Sequence, residues 1–304
     1  MKKSVLLFAF FLLHFQFVLA QSELQSFLQP SDTLNQTRLK GVVLSEGILA
    51  SGALIGLNQL WYADYPQSKL HSINDNNEWL QMDKAGHVFS SYHMGAFGYN
   101  ALHWSGCSKK SKLIYGATIG LAFMSVVEVF DGYSAEWGYS WGDMVANASG
   151  TALFVSQELL WNEQRITPKF SFHTTEYASL RPNVLGSSLS EQILKDYNGQ
   201  TYWLSANVGS FFKSSKIPKW LNVAVGYGAE GMLTGNVENN TAFSSLETKR
   251  CRQFYLSLDA DLTKIKTKSH FLSTFFSIFN SIKIPAPTLE ISTLQGIKFH
   301  YLYF

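Results

Sequence analysis

Cysteine is nearly absent: Cys107 and Cys251 are the whole supply in 304 residues. That excludes a disulfide-stapled scaffold and leaves either one bridge or two free thiols. Charge is scarce too, with 24 Lys and Arg against 22 Asp and Glu for a formal net charge of +2. So even a balance builds no broad basic patch for a phosphate backbone, which excludes nucleic acid as a partner. No internal repeat or low-complexity tract appears. What the chain has in quantity is aromatic side chains, 23 Phe, 14 Tyr and 8 Trp. Many aromatics with few charges suit a surface that meets lipid or glycan.

The first twenty residues read as a secretory signal. Lys2 and Lys3 precede an apolar run from Val5 to Leu13, and Val18, Leu19 and Ala20 offer the small residues a signal peptidase reads. Cleavage after Ala20 leaves Gln21 first. An N-terminal anchor carries the same charge pattern, but the run is short for a bilayer. No cysteine sits near the cleavage point, so lipid attachment there is not supported. The expectation is an exported protein of the cell envelope, periplasmic or membrane-associated.

Residues 21–38 are a polar, flexible lead-in containing Pro30 and Asp32. Residues 39–165 predict a bundle of about four helices, near 41–62, 83–104, 112–130 and 141–161. Gly52 with Gly56, and Gly116 with Gly120, are spaced for close helix approach in a bundle or a bilayer. In the fourth helix Val145, Ala148, Ala152, Val155 and Leu159 form one stripe. From 166 to 304 the period changes to two, with strands near 201–212, 221–227, 253–262, 288–292 and 297–304 and a short amphipathic helix near 269–281. The fold class is therefore α+β. Ile297, Phe299, Tyr301 and Tyr303 share one face of the last strand, as in the closing strand of an outer-membrane barrel, but too few strands precede it for a barrel. The uncharged stretches and this strand predict membrane association.

Three motifs gather the polar residues of the helical half: Asp83-Lys84-Ala85-Gly86-His87, Glu128-Val129-Phe130-Asp131, and Asp143 to Gly150. Asp83 and His87 share a helix face, as do Asp143 and Asn147. Antiparallel packing of helices two, three and four brings all of these to one bundle end. Glu128 and Asp131 end a helix where negative charge is disfavoured, so something must hold them: a neighbouring helix N-terminus, Lys84, protonated His87 or a cation. An imidazole among carboxylates suits proton transfer, a carboxylate raising its pKa. It also suits a hard cation, and zinc less so with one histidine and no cysteine. Ser134 and Ser140 are weak nucleophile candidates. Each residue also has a plain structural role open to it, as cap or core hydrogen-bonder.

In the order Asp-Lys-x-x-His, Glu-x-x-polar, Asp-x-x-x-Asn-x-x-Gly, the stretch from Asp83 to Gly150 resembles the YfiM-like exported envelope proteins and, more distantly, the VanZ-like membrane proteins. The YfiM-like resemblance is carried by Asp131-Gly132-Tyr133-Ser134 and by Trp137 to Asp143. VanZ-like proteins place an arginine between the last two motifs, and this chain has none there. Residues 195–203 and 285–290 look like the extended form in Bacteroidetes-type relatives. The VanZ resemblance implies cell-wall or lipid-linked substrates. Two functions follow as expectations. One is a hydrolase or transferase acting on a lipid or cell-wall component through His87, Glu128 and Asp143, with Asp83, Asp131 and Asn147 supporting. The other is a non-catalytic structural or binding protein of the envelope. Cofactor, metal and oligomeric state stay open.

Overall fold

The Asn35 side chain accepts a hydrogen bond from the Arg38 amide at 3.0 Å and so starts the first long helix. This helix, α1 (Gln36–Leu57), continues through a wider turn at Asn58–Tyr62. In this computed structural model, which describes residues 23–212, 216–240 and 249–304, three more long helices follow. They are α2 (Met82–Trp104), α3 (Ile119–Tyr133) and α4 (Trp141–Leu160). The expected signal at 1–20 lies outside the described residues.

Helix α2 is central, packing on both α3 and α4. Small residues allow it. A Cβ on Gly95 would stand 2.4 Å from the Ala117 carbonyl oxygen, and one on Gly120 would stand 2.2 Å from that of Ser91. Between these close contacts sits the core of Tyr92, Tyr99, Ala117 and Phe154. The third helix departs from the sequence expectation at both ends. Before it come a short turn at Lys109–Ser111 and a wide turn at Lys112–Gly116, which lay the Gly116 backbone on Gly98. At its end α3 runs on to Tyr133, past the limit near 130 expected from the sequence.

Helix α1 is different, since Val42 is its one buried residue and the paired glycines Gly52 and Gly56 have nothing within 4 Å. Their spacing serves no close approach among the described residues. Gln36–Tyr62 and Lys109–Tyr133 are each long and apolar enough to cross a membrane by length and composition. The polar lead-in is helical over residues 23–28. Its contacts fasten it to the fold: among them, Trp104 Nε1 donates to the Phe27 carbonyl at 2.6 Å, and Gln25 Nε2 donates to Ser269 Oγ at 2.6 Å.

Two short strands, β1 (Ser72–Ile73) and β2 (Tyr139–Ser140), pair in parallel within the helical half. After α4 the chain forms one antiparallel meander, in the order β3 (Ile166–Phe172), β4 (Gln200–Asn207), β5 (Leu221–Glu230), β6 (Cys251–Ala260), β7 (Ala286–Ser292) and β8 (Gly296–Tyr303). The protein is thus α+β. Strand β3 was not foreseen, because Pro168 argues against a strand; it is an edge strand, where proline is tolerated. The segment after helix α5 (His270–Phe279) covers that edge, with the Phe170 amide donating to the Ser281 carbonyl at 2.8 Å.

Alternation in the sheet is inverted relative to a soluble sandwich. Its buried face carries polar groups: Lys169 Nζ meets Asp259 Oδ2 at 2.8 Å, Ser205 Oγ donates to the same oxygen at 2.6 Å, and Asn222 Nδ2 donates to Ser205 Oγ at 2.8 Å. Burial pushes the Lys283 ammonium, also on this side, down to about 8. The opposite face is apolar and exposed along Val225, Leu256, Leu258, Ile291 and Phe299, with Tyr301 86% exposed. Helix α2 covers one patch of it, where the Phe89 ring meets Phe170 and Tyr202. An apolar cavity of about 380 Å³ lies there between Val88, Phe89 and the strands.

Candidate functional site

Three consecutive residues without glycine's freedom, Trp79, Leu80 and Gln81, hold φ of 46, 50 and 65°. Each costs on the order of 1–2 kcal/mol. The sheet clamps this turn: the Trp79 amide donates to the Gly235 carbonyl at 2.9 Å, Tyr227 OH bonds the Leu80 carbonyl, and Arg252 Nη2 donates to Gln81 Oε1 at 2.8 Å. Met82 is fully buried beside it with Ala229 and Met232. Strain held by surrounding structure fixes direction. Here it aims the first turn of α2 at the first turn of α4, while the β1–β2 pair ties the preceding loop to the start of α4.

At that junction Lys84 Nζ lies 2.8 Å from Asp75 Oδ2, 2.9 Å from Asp83 Oδ2 and 3.0 Å from Asp143 Oδ1. Ser140 Oγ donates to Asp75 Oδ1 at 2.6 Å and accepts from the Asp143 amide at 3.1 Å, capping α4. The Ser140 amide donates to Glu128 Oε2 at 3.2 Å. His87 sits beyond Lys84 on α2. Its Nδ1 contacts Asn147 Oδ1 at 3.0 Å, with Glu128 Oε1 3.6 Å from Nδ1 and Asp143 Oδ1 3.7 Å from Nε2. Those two distances exceed a direct hydrogen bond. Glu128 Oε1, Asp83 Oδ1 and Asn147 Nδ2 are buried without a hydrogen-bond partner, and Asp143 Oδ1 has only the ion pair with Lys84.

Burial dominates the electrostatics. It pushes the His87 imidazole down to about 4, against the Asn147 contact, so the ring is neutral. The sequence predicted the reverse, a carboxylate raising it; desolvation is the larger effect here. Burial, then the nearby Asp143 and Asp131 charges, pushes Glu128 up to about 8. Asp143 and Asp83 are also raised by burial, while the hydrogen bonds from Lys84 and Ser140 outweigh burial at Asp75 and hold it low. The result is a neutral imidazole beside a Glu128 carboxyl that retains its proton near neutral pH.

Asp83, His87, Glu128, Asp143 and Asn147 therefore meet at one bundle end. Asp131 does not join them: its Oδ1 accepts from Tyr62 OH at 2.8 Å, on the side of α1. Lys84 holds Asp75, Asp83 and Asp143 rather than Glu128 or Asp131, and Glu128 is held by the N-terminus of α4. Ser140 is occupied as a cap. Asp75 was missed, since one aspartate in a run of asparagines carries no periodic signal, and Tyr62 was missed for the same reason. His87, Glu128 and Asp143 present ligand atoms within 4.8 Å of one another, and so do Asp75, Asp83 and Asp143. The apolar cavity touches none of these residues.

The arrangement defines a class: an α+β protein with a buried histidine, carboxylate and lysine cluster between helix ends. A family model described as "Predicted periplasmic lipoprotein (DUF2279)" matches residues 73–158. The match spans every member of the cluster. With the basic and apolar leader, it identifies an exported protein of the cell envelope. As for the lipoprotein part of that description, the two cysteines here are Cys107 and Cys251, both free thiols. No curated protein and no solved structure matches the chain.

Proposed function

We propose that this envelope protein is a hydrolase or transferase acting on a lipid or cell-wall component, with His87, Glu128 and Asp143 as its acid–base groups. One observation carries the reading: a neutral imidazole lies 3.6 Å from Glu128 Oε1, which has no hydrogen bond of its own, and 3.7 Å from Asp143 Oδ1, which has only the ion pair with Lys84. A purely structural tie satisfies its buried polar atoms. This cluster leaves Glu128 Oε1, Asp83 Oδ1 and Asn147 Nδ2 unsatisfied, with His87 and Lys84 still 16% and 14% exposed through their side chains. Environments that keep a histidine neutral and a carboxyl protonated near neutral pH supply a base and an acid to one substrate. Asn147 orients the ring, Asp83 and Asp75 hold Lys84, and Asp131 supports the end of α3 through Tyr62. The motif order is, in this reading, the site that YfiM-like and VanZ-like proteins have in common with this chain.

The substrate class follows from where the chain sits. The exposed apolar residues of α1 and the outer face of the sheet suit contact with a bilayer, which would bring lipid-linked material to the bundle end. Alkaline carbonate washing of the envelope fraction tests this, and quantitative release into the soluble fraction rejects it. The reaction is tested by incubating the purified chain with envelope lipids and cell-wall fragments and reading products by mass spectrometry. Wild type converts a component that His87→Ala leaves intact. No conversion, or equal conversion by both, refutes the reading. The three ion pairs of Lys84 favour the second reading, a cluster that only fastens the bundle, and in that case no product forms.

A further inference from the structure

We infer that His87, Glu128 and Asp143 form the protein side of a binding site for one hard divalent cation of the Mg²⁺ or Mn²⁺ class. The inference rests on reading the cluster as a site rather than a tie. In octahedral coordination with bonds of about 2.1 Å, neighbouring ligand atoms stand about 3.0 Å apart and opposite ones about 4.2 Å. The 3.7 Å between His87 Nε2 and Asp143 Oδ1, and the common limit of 4.8 Å on one ligand atom from each of the three residues, fit ligands that close slightly around an ion.

Two further observations point to a ligand. Glu128 is 1% exposed, yet its Oε1 faces His87 without a hydrogen-bond partner. Three carboxyl groups, Asp75, Asp83 and Asp143, also share the one Lys84 ammonium, and Glu128 lies outside its contacts. Ionised to hold a metal, Asp75, Asp83, Glu128 and Asp143 would carry four negative charges against the single positive charge of Lys84, and a divalent ion offsets two of the remaining three. Buried charge of one sign demands such a partner.

The other acidic triad, Asp75, Asp83 and Asp143, is already filled by Lys84 Nζ, which touches all three. A cation is thereby directed to the His87 side. There Nδ1–H donates to Asn147 Oδ1, which leaves the Nε2 lone pair toward Asp143 and fixes the ring as an outer partner does for a metal-bound histidine. One imidazole against oxygen ligands selects a hard ion over zinc.

The test is Mn²⁺ titration of the full chain, purified in mild detergent and stripped with EDTA, followed by loss of the free-ion paramagnetic resonance signal. One Mn²⁺ should bind per chain, displaced by Mg²⁺. Glu128→Gln and Asp143→Asn should each weaken binding at least tenfold while circular dichroism stays native, and Asp131→Asn should not weaken it. Absence of stoichiometric binding to folded wild type, equal binding by both site variants, or binding of Zn²⁺ but not Mn²⁺ overturns the assignment. If either site variant fails to fold, the other and the conservative Glu128→Asp decide. The two proposals fail separately: conversion of substrate without Mn²⁺ binding removes the cation alone, and Mn²⁺ binding without conversion removes the acid–base reaction alone.

Discussion

Replacing Lys84 with Met removes the one ammonium that three carboxylates share. At an effective dielectric of about 20, each contact near 2.9 Å is worth about 6 kcal/mol of Coulomb attraction before other costs. Desolvation of the ammonium and repulsion among Asp75, Asp83 and Asp143 offset most of that sum. What remains on breaking a buried pair is about 3–5 kcal/mol. Methionine keeps the volume of the lysine stem, so the loss reports charge rather than a cavity. Denaturant unfolding at pH 7, followed by tryptophan fluorescence and circular dichroism, should show this loss. Near pH 4.5 the deficit should shrink, because protonating the stranded carboxylates removes their need for a partner. A loss below about 1 kcal/mol at pH 7, or one that does not depend on pH, would refute the view that Lys84 holds this junction.

Other perturbations probe separate parts of the structure. Burial lifts Asp131 from 3.8 to about 7, so between those values the folded chain keeps a proton that the unfolded chain has lost, and stability falls as pH rises through the window. Asp131→Asn keeps an acceptor for Tyr62 and should stabilise by about 2 kcal/mol at pH 8 and not at all near pH 3.5, measured by melting; equal effects at both pH values would discard the explanation. Gly120→Val places a side chain where a Cβ already stands 2.2 Å from the Ser91 carbonyl oxygen, and should cost about 3 kcal/mol or more by forcing α2 and α3 apart; a neutral result in the same melts would contradict that packing. Mass spectrometry of the mature protein should find Gln21 first, and intact Met1 would remove the cleavage claim.

Helices were legible because their signals are local. Asp83, Asp143 and the apolar stripes lie at helical spacing, and short connections make neighbouring helices antiparallel, which was enough to bring His87, Glu128 and Asp143 together on paper. Four things were not legible. Strand β3 hides behind Pro168, whose cost depends on being at an edge, a fact of topology. The left-handed run at Trp79–Gln81 depends on clamps from Tyr227, Gly235 and Arg252, about 150 residues away, and no local preference announces it. The neutrality of His87 was misread because spacing reports nearby carboxylates but not the depth at which they are buried. The polar interior of the sheet was present as alternation in each strand, yet which parity faces inward is decided only when the strands assemble.

The central claim is that the cluster at the bundle end acts on something, and a paired measurement on His87→Ala tests it most directly. Complementation of a strain lacking the protein is compared with the variant's unfolding free energy. Removing a neutral ring that makes one hydrogen bond should cost at most about 2 kcal/mol and leave the fold intact, while complementation is lost. Full complementation by His87→Ala, together with a stability loss of several kcal/mol, would contradict the account and leave the cluster as a structural tie.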